Sequence, residues 1–264
     1  MKLKQLSKGF RNQLGVIDAL LFRELLTKKS FSYLGFIGVI IEPLIITFIY
    51  LIILNLIRIN VDIGLNTILF FGTGILIFSF FISIFSRSLN AIKANRNLFY
   101  YKRVKPIDTV IARTFIEIIL LAIVYTIILA LVFYVNNKII LDNLPILLLV
   151  FILVTLLSFS VGLIGMVIGN RFENITNWIP VLSRPLFFTS GCLYSINAIP
   201  NDFRIFILWN PLLHAIELAR NSLDNNYRLD EQISLNYLFS ITLIFFGFSI
   251  FIYQKTEKYL IKKI

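Results

Sequence analysis

"NLFYYKRVKPIDTVIAR", residues 97–113, lies between two long apolar runs. Phe99, Tyr100 and Tyr101 lead into Lys102 and Arg103, and Lys105-Pro106 opens the next run. Residues 67–86 before it carry no charged side chain, and neither do residues 118–137 after it. A helix needs about 20 apolar residues to cross the hydrocarbon core of a bilayer. The stretch is therefore a short connection between two membrane spans. Its Lys and Arg side chains hold it on the cytoplasmic side.

Working outward, four further runs meet the same criterion. The expected spans are approximately 34–57, 67–86, 108–135, 144–169, 177–196 and 235–253. Alternating strands of about ten residues are absent, which excludes a β-barrel. Composition agrees: 58% of the 264 residues are hydrophobic, 15% are charged, and mean hydropathy is +0.86. Basic side chains cluster in the N-terminal tail (Lys2, Lys4, Lys8, Arg11, Arg23, Lys28, Lys29), the second connection and the C-terminal tail (Lys255, Lys258, Lys262, Lys263). The first and third connections hold Arg58 and Lys138 alone. The expected architecture is all-α and integral to the membrane, as one domain over 1–264 with both termini in the cytoplasm. The net charge of +11 is a topology signal, and no nucleic-acid partner is expected.

Two connections have structure of their own. Residues 16–29 read as a helix lying at the cytoplasmic surface, with Glu24 and Lys28 at i,i+4 spacing. The long connection 197–234 contains Asn210-Pro211, a helix-start pair: Asn caps free N–H groups and Pro loses nothing at the first position. His214, Glu217 and Asn221 then fall on one polar stripe, with Arg220 beside it. Residues 202–209, ending at Trp209, form a second short apolar piece. Both are too short to span and read as helices at the outer interface.

Ionisable groups inside spans are costly and are functional candidates by default. Glu42, before Pro43, lies in the first span, and Arg184, before Pro185, lies in the fifth. The two are expected to lie close together or to line one polar cavity. Glu117 is expected to pair with Arg113 at the cytoplasmic end of the third span. Phe187, Phe188 and Tyr194 follow Arg184 and could offer stacking surfaces to sugar rings in a channel, or face lipid as an aromatic belt.

The chain has no GxxxxGK[ST], HExxH or GxSxG motif, and His214 is its one histidine. Cys192 is its one cysteine, so no intrachain disulfide forms. What remains is a passive pore, a membrane enzyme, or a permease driven by a separate ATPase.

The details resemble the permease subunit of ABC-2 type exporters, and within them the KpsM-like inner-membrane proteins of capsular polysaccharide export. The resemblance runs nearly the full length. It rests on Glu42-Pro43, on "SRSLNAIKANRNLFYYKRVKPIDTVIAR" (86–113), on "FILWNPLLHAIELAR" (206–220) and on "SLNYL" (234–238). It implies a multi-pass protein of a Gram-negative inner membrane that is itself no enzyme. Two copies would form a channel and pair with a cytoplasmic ABC ATPase dimer that binds ATP-Mg, with no cofactor on this chain. The implied substrate is a lipid-linked capsular polysaccharide, handed on to periplasmic and outer-membrane export proteins. Residues 87–101 become a coupling helix, and 201–223 become periplasmic gate helices with Trp209, His214, Glu217 and Arg220. The expected ATPase-docking surface runs through Asn95, Arg96, Phe99, Tyr100, Tyr101, Lys102 and Arg103. Rival readings are an ABC-2 permease for O-antigen, teichoic acid, a lipid or a drug, and a membrane-embedded glycan assembly factor.

Overall fold

The computed structural model describes residues 13, 15–24, 38, 41–42, 44–49, 52–53, 65–100, 104–136, 141–172 and 174–262. Among the described residues, four helices are long and apolar enough to cross a membrane: α1 (Thr67–Leu89), α3 (Pro106–Asn136), α4 (Leu144–Arg171) and α8 (Leu235–Lys262). At 1.5 Å per residue even α1 is about 34 Å long, enough for the bilayer core. Between α1 and α3 lies the short α2 (Ala91–Ala94), and between α4 and α8 lie α5 (Ile179–Thr189), α6 (Asn201–Ile207) and α7 (Pro211–Leu223). The chain is thus an all-α membrane protein with several spans.

Helix α1 is the centre of the bundle. Its Leu69, Phe70, Ile75, Ile77 and Ile84 are almost fully buried against α3, α4 and α7. Helix α4 meets α1 through a face of glycines: Gly162 lies against Ile84 and Ser88, Gly165 against Phe85, and Gly169 against the backbone of Leu89. A Cβ at Gly169 would overlap the Leu89 carbonyl, so the two backbones touch where small residues allow it. Helix α8 packs on α4 and leaves Phe239, Leu243, Ile244, Phe248 and Phe251 exposed, as lipid contact requires.

Sequence signals explain the helix starts. The Asn66 carboxamide oxygen accepts from Ile68 N at 2.9 Å to open α1. Asp108 in the first turn of α3 accepts from Lys105 N at 2.9 Å, reaching back to the residue before Pro106. Asn210 opens α7 by accepting from Leu212 N at 3.0 Å, with Pro211 at the first helical position.

Three expected elements differ from what is observed or are only partly described. Of the first span, 34–57, the described residues are all helical. Over 177–196, a 3-10 turn (Ile175–Trp178) runs into α5, and the helix stops at Thr189. Eleven residues of α-helix cover about 16 Å, roughly half the core. The stop has a local cause: Gly191 takes φ 69°, the left-handed region, and Leu213 fills the space a Cβ there would need. Residues 87–101 were expected as one helix. Instead α1 ends at Leu89, Asn90 turns the chain into the four residues of α2, and Asn95 turns it again into a 3-10 turn, Arg96–Leu98. Both breaks sit at asparagine, which favours such turns over helix interiors.

Candidate functional site

A cavity of about 340 Å³ opens beside α1. Ser79, Ser83 and Ser86 line it from successive turns of α1, at i, i+4 and i+7. Arg87 and Glu117 meet across it at 3.3 Å, and Glu42 contributes a second carboxylate. Leu76, Phe80, Leu120, Leu121, Val124 and Ile179 form its apolar wall. Glu42 is among the residues lining this cavity, while Arg184, expected beside it, is exposed on α5 and is not part of the lining. The guanidinium that faces the cavity is Arg87. Glu117 was expected with Arg113. Arg113 reaches Glu24 at 3.0 Å and also donates to the Arg87 carbonyl. One helical turn of separation made an i,i+4 pair plausible, yet the two side chains serve contacts between segments.

The segment after α1 forms a second candidate surface. Phe99 is buried, 6% exposed, in a cluster with Ala91, Ile92, Val110, Leu163, Met166, Tyr253 and Leu260. It therefore anchors the connection to its own chain and is not free to dock elsewhere, because an apolar ring gains more from the bundle than from water. Asn95 is also buried: its Nδ2 donates to Ala91 O at 2.8 Å and its Oδ1 accepts from Arg23. Arg96 is exposed, and Tyr100 is 71% exposed. Tyr101, Lys102 and Arg103 lie outside the described residues.

Residues 15–24 are helical and fasten to this surface through polar contacts. Gln13 donates to Asp108, Arg23 to Asn95, and Arg113 to Glu24. Lys105 pairs with Glu257 of α8 at 3.5 Å, and Tyr253 donates to the same carboxylate at 3.2 Å. One end of the bundle is thus laced together by side chains from four segments.

At the opposite end, Arg220 of α7 is fully buried. Its guanidinium donates to Phe70 O (3.1 Å), Cys192 O (2.9 Å), Tyr194 O (3.1 Å) and Glu217 Oε1 (3.2 Å). Gly74 makes room: a Cβ there would lie 2.9 Å from Arg220 Nη2. Glu217 Oε2 accepts from the Tyr227 hydroxyl at 2.7 Å. Burial pushes the Glu217 carboxyl above its ordinary pKa, against the pull of Arg220 and Tyr227. His214 is neutral by geometry: Nε2 donates to Leu208 O at 2.8 Å while Nδ1 accepts from Ser234 N at 3.1 Å. Burial lowers its pKa, in the same direction. Cys192 is likewise buried, its thiol donating to Gly74 O at 3.4 Å. Arg220 and Glu217 form one internal network with Tyr227, and His214 is held separately between Leu208 and Ser234, so these three side chains of α7 are scaffold and not a solvent-facing site.

The exposed apolar surface at this end belongs to α6 and the turn that follows it, while α7 itself is almost wholly buried. Phe206 and Trp209 are each 78% exposed, while Ile207 anchors α6 inward and Arg204 pairs with Asp230. On α5, Phe187 packs edge-on against Phe78 of α1, with ring centroids 5.0 Å apart, so it belongs to the core more than to a channel wall. Phe188 is 59% exposed, and the Tyr194 hydroxyl donates to its carbonyl at 2.6 Å. Sequence reasoning missed the serine row, Arg87 and Tyr227. The i, i+4, i+7 spacing of the serines was the one available signal.

Comparison with known proteins follows the same geography. Residues 16–223 match the ABC-2 type transporter family. The chain is 35% identical over 250 residues to the polysialic acid transport protein KpsM of Escherichia coli, covering 95% of this chain and 96% of that protein. It is 27% identical over 209 residues to the capsule polysaccharide export inner-membrane protein BexB of Haemophilus influenzae, 78% of each chain. Against the capsule polysaccharide export inner-membrane protein CtrC of a serogroup A Neisseria meningitidis strain it is 24% identical over 205 residues, covering 78% and 77%. The family match takes in α1 to α7, and the chain belongs to the ABC-2 type transporter family of membrane permeases.

Proposed function

We propose that this chain is the permease subunit of an ATP-driven exporter that moves a lipid-linked capsular polysaccharide from cytoplasm to periplasm across a Gram-negative inner membrane. The observation that carries this reading is similarity to a polysialic acid transport protein over 95% of the chain, joined by capsule polysaccharide export proteins over 78%. In this reading the half-length α5, with the turn before it and the segment after it, serves as the fifth of six spans, both termini lie in the cytoplasm, and two copies form the channel. The laced end faces a cytoplasmic ABC ATPase dimer, which binds ATP-Mg. The motor's motion reaches the permease through Arg96, Tyr100 and the basic residues that follow. Polar residues of the channel spare sugar hydroxyls from lipid, where unpaired polar groups are expensive. Arg184 and Phe188, exposed on α5, contribute to the channel from each copy. Helices α6 and α7 cap the periplasmic exit, near the periplasmic and outer-membrane export proteins that receive the polymer.

Deletion of the gene tests this. The expected result is polymer that is made and accumulates in the cytoplasm. Loss of polymer synthesis would instead point to a glycan assembly factor. Unchanged surface polymer would point to an ABC-2 permease with another cargo.

A further inference from the structure

Resting on the export reading, we infer that the cavity beside α1 is a sugar-binding subsite on the inner half of the permease, occupied by one or two hydroxyl-bearing sugar residues of the passing polymer. Its size falls in the roughly 300–1,000 Å³ range of small-ligand sites. Its two walls differ in the way a pyranose ring differs between face and edge. Leu76, Phe80, Leu120 and Val124 offer an apolar surface for the C–H face. The hydroxyls of Ser79, Ser83 and Ser86 and the Glu42 carboxylate offer donors and acceptors for the hydroxyl edge. From Leu76 to Arg87 the lining extends about 16 Å along α1, longer than a single ring.

Charge narrows the class of ligand. The lining holds two carboxylates, Glu42 and Glu117, against one guanidinium, and Arg87 is already paired with Glu117 at 3.3 Å. A phosphate would meet Glu42 without a spare cation among the described lining residues, whereas a sugar hydroxyl would donate to Glu42. Each serine hydroxyl can both donate and accept, so successive sugars could exchange partners along the row. Such a row gives several weak holds in place of one tight one, which suits a ligand that must move on.

The test is thiol protection in living cells. Ser83→Cys is placed in a Cys192→Ser background and labelled with a small polar maleimide, with polymer synthesis running or blocked genetically. Export is scored in the same cells. The expected result is severalfold slower labelling while polymer is being made, reversed when synthesis stops, with Leu243→Cys on the lipid-facing side of α8 unchanged. If Ser83→Cys lowers protein level, Ser79→Cys and Ser86→Cys give the same readout. Working export with a labelling rate indifferent to synthesis would overturn the subsite and leave the export reading intact. Equal protection at Leu243 would overturn it as well. Absence of any export defect on gene deletion would instead fail the underlying reading.

Discussion

The guanidinium carbon of Arg220 sits 3.5 Å from the centre of the Phe70 ring while its nitrogens donate to the Phe70 carbonyl, so one residue is held by the other from two sides. Phe70 lies in the first turn of α1, and Arg220 lies 150 residues later in α7. The contact ties the start of the central span to the outer cap. Replacing Arg220 by Ala leaves Glu217 buried beside unpaired carbonyls, a change that typically costs about 3–5 kcal/mol. Arg220→Lys keeps the charge but cannot serve four acceptors from one plane. Thermal unfolding of the detergent-solubilised permease should show both variants less stable, with Ala the worse. An unchanged midpoint for Arg220→Ala would reject the scaffold role.

His214 makes the cap acid-sensitive. Its pKa in the fold lies below the ordinary 6.5, because burial disfavours the cation. As pH falls through 6.5 the unfolded chain takes up a proton that the folded chain refuses, so stability declines toward the lowered value and is fully present above 6.5. Protonating Nδ1 also removes the acceptor that Ser234 N uses. Stability measured from pH 7.5 to 5 should fall, and the fall should shrink in His214→Gln. An equal slope in both proteins would assign the acid sensitivity elsewhere.

Phe99 and Tyr100 are adjacent and should behave differently. Phe99→Ala opens a hole in the cluster around Ala91, Val110 and Met166, with an expected cost of about 3–5 kcal/mol and a lower amount of inserted protein. Tyr100→Ala removes an exposed ring, so protein level should hold while ATPase co-purification and export fall. Normal export from Tyr100→Ala with normal co-purification would remove it from the docking surface.

Gly169 tests the helix contact. Gly169→Ala forces a methyl into the Leu89 carbonyl, and overpacking of this kind costs about 1–3 kcal/mol. Gly247→Ala on α8 faces open space and serves as the control. Lower unfolding temperature for the first alone is the expected pattern. Equal behaviour of the two would mean that α1 and α4 separate freely.

Apolar run length made α1, α3, α4 and α8 legible, since little besides a membrane helix accommodates twenty such residues. The cap at Asn210 was legible from its pairing with Pro211, whereas the cap at Asn66 emerged only from the structure. The end of α5 was not, because the stop depends on Gly191 turning against Leu213, a contact between distant segments. The cavity was half legible. Glu42 stood out as a charge in lipid, but its setting depends on which faces of α1 and α3 meet, and hydropathy carries no such information where all faces are apolar. Phe99 was misjudged for a related reason: an aromatic in a charged connection looks exposed until Val110, Met166 and Tyr253 are brought around it.

The two asparagine turns at positions 90 and 95 change how a push on this segment travels. A continuous rod would slide along its own axis. Here two short pieces, α2 and the 3-10 turn, are jointed to α1 and to each other at Asn90 and Asn95, and they are braced by Phe99 against α4 and α8 and by Arg23 against Asn95. In the export reading, a stroke delivered at Tyr100 would press through Phe99 and Asn95 on α4, α8 and the N-terminal helix together, as a twist and not a thrust.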